Sequence, residues 1–165
     1  PAEQLSWLIN WGADFQVPEI ITQITNINTA MLSLGHEPVA AWKEFKEFTK
    51  GLPLVGHNII NFDIKFLEAM QRTTQSLFNI EEIKRNCVDT APLYKASKLK
   101  ADRLYNESLY DFCARVMEIR AYGVKFNVGV CCDELGIDRS KATQHRAEGD
   151  VYLTDKIYQK ICLKK

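Results

Sequence analysis

The sequence predicts an α/β domain, and two observations support that prediction. Short apolar segments, at Leu54–His57 and Asn86–Val88, are each followed by a segment with the apolar spacing of an amphipathic helix. Strands that alternate with helices in this way are typical of α/β folds, although helices outnumber strands here. The length of 165 residues, with 46% hydrophobic and 25% charged residues, is that of one globular domain.

The first third of the chain predicts one strand and three helices. The apolar stretch from Leu5 to Ile9 runs into a turn signal and is predicted to be a strand. Pro18 stands where a helix would begin, and the apolar spacing after it breaks near Thr25-Asn26, which indicates two short helices. Pro38 opens a third helix that Gly51 is placed to end, with an apolar face made of Ala41, Trp42, Phe45 and Phe48.

The middle of the chain predicts two strands, each leading into a helix. The first strand, Leu54–His57, is expected to be buried. A helix then begins near Asp63, with an apolar face made of Phe66, Leu67 and Met70. The second strand, Asn86–Val88, runs into Asp89-Thr90, which is predicted to cap the next helix.

The last third predicts three further helices. The first carries the apolar positions Leu109, Phe112, Cys113, Val116 and Met117. A short helix ends at Leu135-Gly136, where glycine suits the left-handed conformation that closes a helix. The final helix begins near His145 and has one apolar stripe, formed by Leu153, Ile157 and Ile161.

Composition excludes several classes of protein. Twenty-one basic residues balance 21 acidic ones, so the chain is not a strongly polycationic nucleic-acid binder. No apolar run approaches the ~20 residues that a membrane span needs, so we expect no membrane partner. Five cysteines without a Cys-x-x-Cys pair fit neither a disulfide framework nor a zinc site, and they favour a reducing, cytoplasmic location.

Two carboxylates lie in line with apolar stripes, which is unusual for charged groups. Asp63 precedes its stripe by three, four and seven residues, and Asp150 precedes Leu153 by three. A charge on such a face is costly unless it is paired, hydrogen-bonded or bound to a metal, although a helix N-terminus also favours an anion. His145 stands five residues before Asp150, from where it can reach the same cleft.

These residues form two motifs that resemble a known family. Gly56–Leu67 (GHNIINFDIKFL) and His145–Thr154 (HRAEGDVYLT) resemble the second and third motifs of the DnaQ-like 3'–5' exonucleases, in the branch called DEDDh. The three residues between Asn58 and Phe62-Asp63 are the spacing of the three-prime repair exonucleases, whereas many proofreading subunits have two, and the whole chain is most similar to these two groups, the proofreading epsilon subunits and the three-prime repair exonucleases. Pro18–Met31 also looks like a helical turn of that family, with Asn26 in place of a glycine, and residues 87–90 resemble its strand ending in Asp-Thr.

The resemblance implies a fold, a reaction and a set of site residues. The fold would be ribonuclease H-like, with a mixed central sheet flanked by helices. The reaction would be hydrolysis of terminal phosphodiester bonds of DNA with two Mg²⁺ or Mn²⁺ ions, in proofreading or repair. Asp63 and Asp150 would hold the metals and His145 would be the general base. The substrate would be bound by Asn58, His57, Phe62 and Arg146.

The first motif of the family, Asp-x-Glu on an opening strand, does not occur in the 165 residues. We therefore expect one exonuclease domain over 1–165 that lacks its N-terminal strands, with a family-variable helical insertion over about 98–126. The 165 residues taken alone are expected to be inactive because this motif is missing. Either the motif lies upstream of Pro1 or the parent protein has lost it, and the intact second and third motifs favour the first case. The sequence before Pro1 would decide between these cases.

The expected partner is nucleic acid, most simply the 3' end of a single-stranded DNA, and a polymerase or helicase would be a partner or a fusion. Basic residues outnumber acidic ones over 84–103, and Arg139, Lys141 and Arg146 surround His145. Two alternatives stay open. The domain could bind nucleic acid or act as a scaffold without catalysis, or it could be an exoribonuclease, because the choice of DNA or RNA depends on contacts to the 2'-hydroxyl.

Overall fold

The computed structural model describes residues 3–75, 80–140, 142 and 147–163. Within these ranges helices dominate, and two short strands form the sheet. In chain order the elements are α1 Glu19–Thr25, α2 Thr29–Ser33, α3 Pro38–Thr49, β1 Val55–Gly56, α4 Asp63–Thr74, α5 Ile80–Asn86, β2 Val88–Asp89, α6 Thr90–Leu99, α7 Leu109–Glu118, α8 Val128–Leu135 and α9 Ala147–Cys162.

The sheet consists of β1 and β2, which run parallel. Val55 pairs with Val88 and Gly56 with Asp89, and the Val88 N–H donates to the Leu54 carbonyl at 2.8 Å. Parallel strands joined through helices agree with the predicted α/β class. The described residues supply no antiparallel strand, so the mixed character of the predicted sheet is not seen in them.

Two strand predictions need correction. The stretch from Leu5 to Ile9 makes a single bridge, between Ile9 and His36, and is otherwise extended chain. The strand at Leu54–His57 is shorter than predicted and is not buried on both faces, because Val55 is 40% exposed. Successive strand residues point to opposite faces. Ile59 fills the face of Gly56 so tightly that a Cβ on the glycine would lie 2.5 Å from the Ile59 Cβ.

The predicted break between the first two helices is confirmed. Asn26 ends α1 with a φ of 56°, the left-handed conformation that asparagine adopts more readily than most residues. Asn28 then caps α2 by accepting a hydrogen bond from the Met31 N–H at 2.9 Å. Pro18 lies one residue before α1 instead of at its first position.

Helices α3, α4 and α5 enclose one part of the core. Buried side chains from these helices and the segments beside the strands form a cluster of Trp42, Ile59, Ile64, Ile80 and Cys87. One of the three residues predicted for the apolar face of α4 does not face the core, because Phe66 is 58% exposed. Ile64 is buried instead, and because two residues along a helix are ~200° apart, Phe66 lies on the opposite side. Helix α5 was not predicted.

Helices α6 to α9 enclose the other part of the core. The predicted stripe on α9 is confirmed, because Leu153 and Ile157 are buried and Ile161 packs against the same cluster. Gly136 ends α8 with a φ of 65°, also as predicted. Cys131 and Cys132 are fully buried here as small apolar side chains, and burial raises the pKa of Cys131 to about 12.

None of the helices in the described part of the chain combines the length and the apolar composition that a membrane crossing requires.

Candidate active site

The loop between β1 and α4 is shaped by Asn58. This residue has a φ of 64°, and its carbonyl accepts hydrogen bonds from the N–H groups of Asn61 at 3.2 Å and Phe62 at 3.0 Å. The chain therefore reverses within four residues. Ile59 and Ile64 are buried beneath the loop, where the Ile64 N–H donates to the Ile59 carbonyl at 3.0 Å. This arrangement places Asp63 as the first residue of α4, immediately after the turn.

The buried carboxylate of Asp89 holds the same loop through hydrogen bonds to its backbone. Asp89 is fully buried, and its Oδ1 accepts from the Asn58 N–H at 2.7 Å and the Ala91 N–H at 3.1 Å. Its Oδ2 accepts from the Ile60 N–H at 3.2 Å. Burial raises the pKa of this carboxyl group, and the three backbone donors oppose that shift. The sequence predicted Asp89 only as a helix cap. A polar residue at the end of a parallel strand was the available sign of a wider role.

Asp63 lies close to other carboxylates. Its side chain reaches solvent, yet desolvation by the surrounding protein raises its pKa above the usual value. The negative charges of Asp89 and Asp150 raise the pKa further, and the Asp63 N–H lowers it. Asp63 is thus near enough to Asp150 for the charge of Asp150 to act on it, and the role of the two carboxylates as metal ligands stays a prediction.

Asp150 lies in the first turn of α9, and it is exposed. The buried Gly149 beside it and the buried Leu153 and Thr154 one turn later fix the helix against its neighbours. Helix α9 contacts β1 directly, which explains how Asp150 approaches the loop that follows this strand. Near the same helix end, the Ser6 hydroxyl donates to Glu148 at 2.7 Å and so attaches the N-terminal segment there.

Both ring nitrogens of His57 are engaged by protein groups. Nε2 lies 2.6 Å from the Phe126 carbonyl oxygen, and Nδ1 lies 2.9 Å from the Thr90 hydroxyl. A carbonyl only accepts, so Nε2 carries the proton and donates. Burial lowers the pKa of His57, which favours the neutral ring. The single hydroxyl proton of Thr90 lies between two acceptors, Nδ1 of this ring and the Gly56 carbonyl oxygen at 3.0 Å. His57 thus connects the loop to α6 and to Phe126, and its predicted contact with substrate stays a prediction.

This arrangement makes folding stability depend on pH. The unfolded imidazole binds a proton below a pKa of about 6.5, whereas the folded protein resists protonation there. The unfolded state then binds more protons, so the free energy of unfolding should fall as the pH drops from 7.5 to 5.5. Urea unfolding of wild type and His57→Gln at both pH values measures the effect, and the variant should show the smaller drop. Equal drops in the two proteins would contradict the proton assignment.

Two exposed aromatic rings flank Asp63. Phe62 and Phe66 are each 58% exposed, and their ring centroids are 5.1 Å apart with the planes inclined at 57°. Phe62 was predicted as a substrate contact, whereas Phe66 was predicted to face inward. Exposed large apolar side chains beside polar groups are typical of binding sites.

The donor set fits part of a divalent metal site. Carboxylate oxygens are the ligands that Mg²⁺ and Mn²⁺ prefer, and a cation between Asp63 and Asp150 would relieve their repulsion. Within the described ranges, however, no three His, Cys, Asp or Glu side chains lie close enough together to hold an ion. The described residues therefore offer two candidate ligands, Asp63 and Asp150, where a divalent cation needs more.

The remaining predicted site residues, His145 and Arg146, lie outside the described residues, as does Lys141. The basic stretch over 84–103 is largely used within the protein. Lys84 pairs with Glu68 at 2.6 Å, Lys98 pairs with Glu134, and Lys95 is buried. These three cations are therefore structural, which leaves fewer of that stretch for phosphate contacts than the sequence indicated.

Comparison with known proteins identifies the family. A family model described as Exonuclease (RNase T) matches residues 3–158. DNA polymerase III PolC-type of Ureaplasma parvum is 26% identical over 145 residues, which is 87% of this chain and 8% of that protein. The corresponding protein of Mycoplasma pneumoniae is 31% identical over 80 residues, covering 48% of this chain and 5% of that protein. No solved structure matches the chain. Because the family model covers nearly the whole sequence, the chain belongs to the DnaQ-like exonucleases of the RNase T family.

Proposed function

We propose that the domain is a metal-dependent 3'–5' exonuclease that acts on DNA ends. The observation that supports this proposal is that Asp63, which begins α4 directly after the loop that Asp89 holds, lies near enough to Asp150 on α9 for the charge of Asp150 to act on it. Membership of an exonuclease family makes nucleic acid the substrate. Beyond what membership of the family gives, we propose the 3'–5' direction and the use of Mg²⁺ or Mn²⁺.

In this proposal Asp63 and Asp150 hold divalent cations, which when bound neutralise charge on the scissile phosphate. The 165 residues contain no Asp-x-Glu pair to complete the ligand set. The sequence spans only 8% of the Ureaplasma relative, so further carboxylates are proposed to come from outside residues 1–165. The activity belongs to the longest gene product that includes these residues.

The other site residues have roles in orientation and proton transfer. His145 is proposed to take the proton from the attacking water, a role for which an imidazole suits neutral pH. Phe62 is proposed to stack on the terminal base, Asn58 to position the sugar and Arg146 to contact a phosphate. His57 is proposed to border the bound strand beside Asn58, with its ring fixed by Thr90 and Phe126. Since the relatives are PolC-type polymerases, we propose proofreading beside a polymerase as the setting.

A second candidate is a nucleic-acid-binding domain without catalysis. It is favoured by the missing Asp-x-Glu pair, because two ions held close together need several carboxylate oxygens. In that case single-stranded DNA would bind, but no nucleotide would be released from either end.

The assay uses single-stranded DNA carrying a label at its 5' end and the longest gene product that contains residues 1–165. With Mn²⁺ we expect a ladder of products shortened from the 3' end, and EDTA should abolish it. The same strand blocked by a 3'-phosphorothioate linkage should be shortened more slowly. Immediate release of the labelled 5' nucleotide would contradict the direction, and cleavage in EDTA would contradict the metal. A single-stranded RNA of the same sequence tests the substrate class.

A further inference from the structure

The segment between α7 and α8 forms a tight turn that exposes a tyrosine. Val124 N–H donates to the Ala121 carbonyl at 3.4 Å, and Gly123 has a φ of 80°. A positive φ at the third position defines a type II turn, for which glycine is suited. Tyr122, at the second position, is 97% exposed.

Lys95 fixes both ends of this segment. Its ammonium is buried, with the side chain 4% exposed. Nζ donates to the Met117 carbonyl at 3.0 Å, before the turn, and lies 5.2 Å from the centroid of the Phe126 ring, after it. The Phe126 carbonyl also accepts from His57. These contacts attach both ends of the turn to the candidate active site. Its backbone is therefore already held in place, and ligand binding should cost little conformational entropy.

The charge of the segment favours an anionic ligand. Arg120 and Lys125 flank Tyr122, both are exposed, and no acidic residue occurs from Ile119 to Val128. In the described part of the chain no ion pair involves either cation. Lys125 also borders a cavity of about 470 Å³ that is shared with Asn58 and Asn127. An exposed ring between two cations is the arrangement by which proteins hold unpaired bases and their phosphates.

We propose that this turn, Ala121–Val124 with its flanking cations, is a second contact for single-stranded nucleic acid. Tyr122 stacks on an unpaired base upstream of the 3' end, while Arg120 and Lys125 contact phosphates on either side of it. The inference rests on the proposed function, because a subsite for a single strand requires that the domain takes nucleic acid as its substrate. It adds a binding subsite that is separate from Asp63, Phe62 and Asp150.

The test measures binding of the longest gene product that includes residues 1–165 to a 5'-fluorescein-labelled six-nucleotide thymidine strand by fluorescence anisotropy, in EDTA to prevent cleavage. Tyr122→Ala should raise Kd on the order of tenfold, the effect expected for losing one stacked base. Tyr122→Phe should bind as wild type does, because the ring is kept. Arg120→Ala or Lys125→Ala should each lower the slope of log Kd against log salt by about 0.7.

Tyr105 provides the matched control. It is 95% exposed and lies in the loop after α6, a helix about 15 Å long whose first residue, Thr90, contacts His57. Tyr105→Ala should leave Kd unchanged. A strand whose internal bases are replaced by abasic sites should bind wild type and Tyr122→Ala equally weakly.

The outcomes separate the two proposals. Wild-type affinity in Tyr122→Ala, or an equal loss in Tyr105→Ala, overturns the subsite and leaves the exonuclease proposal standing. If Tyr122 instead contacts a protein partner, Tyr122→Ala will bind the strand as tightly as wild type does, which also overturns the subsite. Failure of the wild-type gene product to bind the strand removes the nucleic-acid substrate and, with it, both proposals.

Discussion

Asp150→Asn should lower kcat for release of 3' nucleotides by on the order of a hundredfold, the loss typical when one group that stabilises developing charge is removed from an active site. The amide keeps the size of the side chain but removes the negative charge that a cation requires. Binding of the DNA end should change much less, because phosphate and base contacts elsewhere hold the strand. The measurement is single-turnover cleavage at saturating enzyme, with the longest gene product containing residues 1–165.

Asp155→Asn is the control for this prediction. Asp155 lies on the same helix, five residues further along, where it is exposed and contacts Lys156 at 3.4 Å and Gln159 at 2.8 Å. Its replacement should leave kcat within about twofold, as expected for a surface group outside the site. Equal losses in the two variants would indicate a general effect on α9 and would remove Asp150 from the metal site.

Asp89→Ala should lower the free energy of unfolding by about 3 kcal/mol, because it leaves three backbone N–H groups without their acceptor. Asp89→Asn should cost less, about 1 kcal/mol. Its single carbonyl oxygen can still accept from Asn58 and Ala91, whereas its NH₂ group would face the Ile60 N–H. Urea unfolding followed by circular dichroism measures both changes.

Ser108→Ala is the control, because it removes a helix cap alone, whereas Asp89→Ala removes both a helix cap and the contacts with the loop. Ser108 caps α7 by accepting from the Asp111 N–H at 3.0 Å, and it has no link to the site loop. Loss of such a cap costs about 1 kcal/mol. If Asp89→Ala is no more destabilising than Ser108→Ala, the carboxylate acts only as a helix cap, and the bonds to the Asn58–Ile60 loop contribute nothing measurable.

Local rules predicted the parts of the fold that depend on a few neighbouring residues. The left-handed Asn26, the cap at Asp89, the start of α4 at Asp63 and the glycine after α8 each follow from backbone preferences or short-range hydrogen bonds. The shared site of Asp63 and Asp150 was expected from their positions on the two helices and from the family resemblance, and it stays a prediction.

Features that depend on packing between distant elements were not predictable in this way. The exposure of Phe66 is decided by which face of α4 meets Trp42 and Ile59, and the apolar spacing alone allowed either choice. Lys95 reads as an ordinary basic residue in a basic stretch, and only its contacts with Met117 and Phe126 reveal a structural role. Buried cations are uncommon, so sequence alone argued against this assignment.

Because a single ammonium group holds the segment at both ends, its motions are coupled. Freeing Met117 or Phe126 separately would leave the Lys95 charge in the core with fewer partners, which is costly. Residues 118–125 should therefore open as one cooperative unit of the native state and not fray from either side. Since His57 Nε2 donates to the Phe126 carbonyl, we expect each such opening also to break this hydrogen bond, while the bonds from Asp89 keep the Asn58–Ile60 loop in place.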